Sequence, residues 1–186
     1  MTGLLNDVAI IGGGLGGCAL ALALTARNIA ITIYESHGPE ADTLISGVIL
    51  TPNGLHVLDR LGVFDRIKDR CWISTHRTFK DWEDNTVRKT VVAAKGLYGH
   101  HNHRIWRKLL LDEMKQMLSE RGIHIRYNSK LSGIISDTSQ SVSFLINDIP
   151  RTSSVLIASD GLHSTTRHYL APGFYPRSEI VPRGTM

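Results

Sequence analysis

Three glycines and one acid form the first chemistry-bearing pattern in the chain. Gly12, Gly14 and Gly17 make G-x-G-x-x-G, and Glu35 lies 23 residues beyond Gly12. Glycines at this spacing suit a phosphate. Gly12 permits a tight turn, Gly14 lets the backbone approach a pyrophosphate, and Gly17 lets a helix lie close on the preceding strand. The small Ala21 continues that close face. A helix starting here offers free N–H groups and a positive dipole end to the anion. An acid ending the next strand would hydrogen-bond a ribose hydroxyl.

The elements that must hold these residues are legible around them. "DVAII" reads as a short buried strand and "CALALALTA" as a helix rich in Ala and Leu. Asn28 is suited to a left-handed helix end, and "IAITIYE" is a second strand ending at Glu35. From Val8 to Ala26 nineteen residues carry no charge, long enough to raise a membrane span. Against it, residues 1–7 hold no Lys or Arg, and the glycines cut the run in two. The sequence therefore predicts a dinucleotide-binding strand–turn–helix–strand and no membrane span.

Length and composition set outer bounds. The 186 residues suit one domain or one and a fraction, and 42% apolar content can build a core. The net charge of +4 is scattered without a Lys/Arg run, so nucleic acid is not an expected partner. Cys18 and Cys71 have no metal-ligand spacing and suit a reducing compartment, which makes the cytoplasm the expected location. "HHNH" at His100 to His103 lacks regular spacing and a nearby Cys or carboxylate, so no metal is expected there.

Further along, Thr51-Pro52 reads as a helix cap and first turn, with Leu55, Leu58 and Leu61 at helical spacing up to Gly62. From Cys71 to Val92 the pattern turns β-branched and aromatic. "WISTHRTFKDW" and "TVRKTVV", joined at "EDN", predict an inserted antiparallel hairpin. "RIWRKLLLDEMKQMLSERG" predicts a helix with Leu110, Met114, Met117 and Leu118 on one face, closed by Gly122. "IHIRY" is a strand, "LSGIIS" and "SVSFLI" a meander turning at Asn147-Asp148, and "SSVLIASDG" a strand entering a glycine turn.

Taken together these segments resemble the flavin-dependent aromatic monooxygenases of the salicylate hydroxylase and p-hydroxybenzoate hydroxylase type. "DVAIIGGGLGGCALALAL" with Glu35 matches their FAD-ADP pattern, and "SGVILTPNGLHVLDRLGVFD" is similar to their flavin-side loop and helix. "IWRKLLLDEM" is similar to their R-x-x-L-x-x-x-L helix start, and "IASDGLHSTTR" to their Asp-Gly motif. The resemblance implies an α/β fold, a Rossmann-like FAD-binding domain with an inserted, incomplete antiparallel β substrate domain. The FAD domain would take residues 1–70 and 105–170, and partial substrate-domain strands 71–104 and 171–186.

It also implies site residues. Gly47 and Val48 would bring backbone to the flavin end, Arg107 would contact FAD, and Asp160, Gly161, His163, Ser164 and Arg167 would lie near the pyrophosphate and the nicotinamide approach. Arg104 competes with Arg107, whose place at a helix N-terminus is unfavourable for a cation unless an anion joins it. Arg183, in "VPRG", resembles a substrate-side Arg and is a weak catalytic candidate. The implied chemistry is NAD(P)H- and O2-dependent hydroxylation of an aromatic or related organic substrate, with FAD as cofactor. Ile45 and Ala158-Ser159 depart from the family's glycines, and the second Gly-Asp motif of the family is not found, so the expectation is the N-terminal part of a longer enzyme. Two other readings stay open: a non-catalytic FAD-domain remnant or interaction module, and a nicotinamide-dependent Rossmann dehydrogenase.

Overall fold

The computed structural model describes residues 7–41 and 46–173. Arg183, Ile45 and the expected strand at 171–186, apart from residues 171–173, lie outside them. The chain opens as foreseen: β1 (Val8–Ile11), α1 (Leu15–Thr25) and β2 (Ile31–Tyr34). Asn28 turns the chain between α1 and β2 with φ 56°. Next come β3 (Gly47–Leu50), α2 (Pro52–Arg60), α3 (Val63–Ile67), β4 (Trp72–Ser74), β5 (His76–Lys80), β6 (Thr86–Val91) and α4 (Lys95–Tyr98). The remainder is β7 (Asn102–Trp106), α5 (Arg107–Glu120), β8 (Ile125–Arg126), β9 (Leu131–Asp137), β10 (Val142–Ile146), β11 (Ile149–Ser153), β12 (Val155–Ala158) and α6 (Thr165–Leu170).

A parallel sheet in the order β12-β1-β2-β8 stands at the centre. β1 is buried along its whole length, and because side chains alternate across a strand it feeds a core on each face. Val8, Ile10 and Ile33 point into one core with Cys18, Ala21 and Leu22 of α1 and Leu110, Met114 and Leu118 of α5. Ala9, Ile11 and Tyr34 point into a second core with Leu131, Phe144 and Ile146 of the β9–β11 meander. Tyr34 and Phe144 meet edge to face, ring centres 5.9 Å apart. The layers are thus helices, parallel sheet and meander, an α/β Rossmann-like arrangement. No helix among the described residues is long and apolar enough to cross a membrane.

Two expectations need correction. The predicted helix from Arg104 begins only at Arg107; Arg104 to Trp106 belong to β7. β7 is the middle strand of a second sheet, β3-β7-β4, antiparallel to both neighbours. The segment predicted as one hairpin also divides. β5 and β6 pair as expected, but β4 leaves them to pair with β7. In both cases partners far along the chain decide the conformation, which local pattern does not report.

Candidate cofactor site

The three glycines of the first turn have three distinct physical roles. Gly12 has φ +106°, and a Cβ there would stand 2.3 Å from the Ser159 carbonyl oxygen. A Cβ on Gly17 would stand 1.9 Å from the Gly12 carbonyl oxygen. Gly12 and Gly17 are therefore required by the protein's own packing. Gly14 is different: nothing lies within 4 Å of where its Cβ would be, although it is the N-cap of α1. The space is open, and α1 has no side-chain cap for its first N–H groups. Such a helix end binds anions.

Glu35 follows β2 at the edge of this turn. Its Oε2 accepts the Gly13 N–H at 2.7 Å, and its Oε1 accepts the His37 N–H and the His37 Nδ1–H, each at 2.9 Å, with the Ser36 hydroxyl at 3.2 Å. Burial pushes its carboxyl up, but the backbone donors of His37 and Gly13 and the His37 and Ser36 side chains outweigh it. The net effect is a pKa below the usual carboxylate range.

Opposite, β12 runs beside β1 and delivers the Asp-Gly turn. The Ser159 N–H donates to the Ile11 carbonyl at 2.7 Å, which fixes the turn against the glycines. Gly161 has φ +73°, where glycine costs least. Asp160 Oδ2 receives the Thr166 N–H and hydroxyl, at 3.4 and 3.5 Å. Ser164 caps α6 by accepting the Arg167 N–H at 2.9 Å. The Arg167 guanidinium donates to the Leu162 and Gly161 carbonyls, at 2.9 and 3.1 Å, so it braces the turn from within the chain.

These parts line one cleft of about 680 Å³ that holds Gly12, Glu35, Asp160, Gly161 and His163 together with Ser129 and Lys130. It sits at the carboxyl ends of β12, β1 and β2, where open α/β sheets bind their ligands. Arg107 lines an adjoining pocket of about 290 Å³ with Gly13, Glu35, Lys115 and Tyr127. Its N–H donates to Ser46 at 2.8 Å, which ties the start of α5 to the start of β3. There Gly47 faces Trp106 in register, and Val48 packs on the helix-side core. Arg104 points elsewhere, into a separate cavity beside Ile49, Ser74 and Asn102.

Sequence reasoning did not single out Ser36, His37, Lys115, Tyr127, Ser129 or Lys130. Lys115 carried one readable signal: it lies two helical turns after Arg107, on the same side of α5. Tyr127 reaches the adjoining pocket, and Ser129 and Lys130 the cleft, because β8 pairs with β2. The histidines of "HHNH" serve packing. His101 Nδ1 donates to the Ala93 carbonyl at 3.0 Å, and His100 and His103 stack edge-on against Phe64.

The donor set fits a dinucleotide such as FAD. The acid Glu35 stands at the end of β2 beside the glycine turn, Gly14 opens on free space with no internal steric cause, and α1 presents an uncapped end. Comparison with known proteins agrees. The FAD-binding domain family matches residues 6–186. An FAD-dependent monooxygenase of Gibberella moniliformis is 28% identical, aligned over 94% of this chain and 42% of its own length. The 6-methylsalicylate 1-monooxygenase of Aspergillus terreus is 28% identical over 97% of this chain and 43% of that protein. The p-nitrophenol 4-monooxygenase of Pseudomonas putida superposes with a TM-score of 0.80 at 20% identity, covering 90% of this chain and 44% of that one. Klebsiella pneumoniae HpxO, solved with FAD, superposes at 0.76 with 22% identity, over 92% of this chain and 43% of that one. The chain thus spans less than half the length of these relatives, and within that span it belongs to the FAD-binding domain family.

Proposed function

We propose that this chain forms the FAD-holding part of a monooxygenase that uses NAD(P)H and O2 to hydroxylate an aromatic or related organic substrate. The observation that carries the reading is the convergence of Gly12, Glu35, Asp160 and Gly161 on one cleft beside an uncapped α1, with Arg107 at its side. FAD, when bound, supplies the redox chemistry and the reaction with O2.

The chain's residues bind and orient. Glu35 holds the adenosine ribose, exchanging the Ser36 and His37 contacts on Oε1 for sugar hydroxyls. Gly14 and the first turn of α1 take the pyrophosphate. Arg107 and Lys115 supply positive charge beside it, which makes a cation at the start of α5 favourable. Asp160, held by Thr166, orients the polar side of the cofactor chain. Gly47 and Val48 present backbone toward the flavin end.

The test is direct. The purified chain, reconstituted with FAD and desalted, should retain flavin absorption bands. Glu35→Ala should weaken FAD by about 1.5–3 kcal/mol, the loss of charge-assisted hydrogen bonds. Arg107→Ala should lower flavin retention with an unchanged circular dichroism spectrum. Absence of bound flavin in the unaltered chain would overturn the reading.

A further inference from the structure

We infer that His37 is a proton-sensitive latch on Glu35: its imidazole holds the place on the carboxylate that a ribose hydroxyl must take, so the cleft admits a ribose-bearing ligand less readily when His37 is charged. The identity of that ligand as FAD rests on the flavoprotein reading; the latch rests on the contacts of Glu35. Oε1 of Glu35 is crowded. It accepts the His37 N–H and the His37 Nδ1–H, each at 2.9 Å, and the Ser36 hydroxyl at 3.2 Å. Oε2 accepts the Gly13 N–H at 2.7 Å. Each carboxylate oxygen offers about two lone-pair sites. Oε2 can therefore take one hydroxyl of a ribose diol, but the second reaches Oε1 only by displacing a donor already there.

The donors on Oε1 differ in how easily they leave. The His37 N–H is fixed, because the backbone around it is laced to the chain at and after β8. The Glu35 N–H donates to the Arg126 carbonyl at 2.9 Å, the Ser129 N–H to the Glu35 carbonyl at 2.8 Å, and the Asn128 N–H to the His37 carbonyl at 3.1 Å. The side chains are free to turn. The His37 side chain is 75% exposed against 17% for Glu35, so its ring can swing into water at little cost in packing. Its Nδ1 also lies 3.1 Å from Ser36 Oγ, which puts both movable donors in one cluster over Oε1. A neutral imidazole gives up one hydrogen bond when it leaves, whereas an imidazolium gives up an ion pair as well. Ribose binding therefore favours the uncharged ring, and affinity rises with pH. Arg107 and Lys115 of α5 and Tyr127 stand beside His37 in the adjoining pocket, and Lys130, Asp160 and His163 line the cleft with it. Histidine is the residue type in this set that changes charge between about pH 5 and 8. The titration of His163 is thus the one to separate from that of His37. A cofactor phosphate beside the ring would act with the opposite sign, since it favours the charged form.

Calorimetric titration of the whole chain with FAD at about pH 5.5, 6.5 and 7.5 spans the range in which histidines change charge. Affinity should rise about threefold to fivefold from the lowest pH to the highest, the size that an exposed ion pair supports. His37→Ala should bind FAD at least as tightly as the unaltered chain at the acid end and should lose the rise. His37→Gln, which keeps a side-chain donor without a titrating charge, should be flat as well. His163→Asn should keep the rise. In the unaltered chain, a flat profile or an affinity that falls as pH increases overturns the inference, whether or not any variant folds. So does a rise that survives His37→Ala or vanishes in His163→Asn. FAD binding with any of these contrary profiles sinks the latch and leaves the flavoprotein reading standing, whereas no FAD binding at any pH sinks both.

Discussion

The cofactor cleft and the sheet-face cavity are built on opposite plans. In the cleft the backbone is pinned. Gly12 and Gly17 sit where any side chain would strike a carbonyl, and Glu35 already holds four hydrogen bonds. In the cavity the polar groups wait. Among the described residues no acid lies within ion-pair distance of Arg77 or Arg104, and none donates to Asn102 Oδ1. The first plan fixes the backbone through sterics, and the second gathers two arginines around an apolar cavity. The contrast also divides the glycines. A glycine demanded by the chain's own atoms should control folding, and one demanded only by empty space should control binding.

The strongest way to break that contrast is Gly17→Ala. The new Cβ would lie 1.9 Å from the Gly12 oxygen, with backbone on both sides unable to yield. We expect a loss of about 3 kcal/mol or more, or failure to fold. Urea unfolding measures it, and a loss under about 1 kcal/mol would show that α1 can lift off β1 cheaply.

Gly14→Ala sharpens the same comparison. Nothing in the chain meets that Cβ. Stability should change by no more than about 1 kcal/mol, since an N-cap glycine is only modestly better than alanine. FAD affinity should fall more than about tenfold, because the methyl group occupies the approach to the pyrophosphate. If both variants instead lose stability alike, the distinction between the glycines collapses.

How far the two sites could be read from sequence follows the same divide. The turn at Gly12–Gly17 and the acid at Glu35 are encoded within one strand–helix–strand unit, so spacing alone located them. The β9–β11 meander was legible too, because Asn147 and Asp148 adopt the positive φ that their side chains tolerate. β7 was not. "RIW" continues smoothly into the Leu-rich run of α5, and it becomes strand only by pairing with β3 and β4. Since β7 carries Asn102 and Arg104, missing it hid the whole second cavity. Arg107 was singled out by the resemblance of its helix start, with the local conflict of a cation at a helix N-terminus in support, whereas Lys130 and Tyr127 needed the pairing of β8 with β2.

Glu35 adds a pH dependence to the cleft. Its folded pKa is depressed, so its contribution is fully present above the unfolded carboxyl pKa of about 4.3 and is lost as pH falls through the lower folded value. Glu35→Gln should cost about 1 kcal/mol at neutral pH, because an amide accepts less strongly from the Gly13 and His37 N–H groups. At acid pH the gap between the two proteins should narrow as Glu35 protonates. Unfolding curves at both pH values check this, and a gap of constant size would mean that the carboxylate charge is not what the N–H groups stabilise.

The smallest effects belong to the tip of the β5–β6 hairpin, away from His76 and Arg77, which line the cavity. Every residue of β5 is exposed, and Trp82 at its turn is 91% exposed. Lys80 and Asp84 pair at 2.7 Å, but both are solvated, so the attraction is screened and offset by side-chain ordering. Asp81 differs, because its Oδ1 accepts the Glu83 and Asn85 N–H groups at 3.0 and 2.8 Å and so shapes the turn itself. Lys80→Ala and Trp82→Ser should each change global stability by less than about 0.5 kcal/mol. Asp81→Ala should instead speed amide hydrogen exchange across β5 and β6, while β1 and β2, buried on both faces, keep their protection. If Asp81→Ala also exposes β1 to exchange, the hairpin and the parallel sheet unfold as one unit. The cavity floor would then be coupled to the cofactor cleft through the fold, although no lining residue is shared.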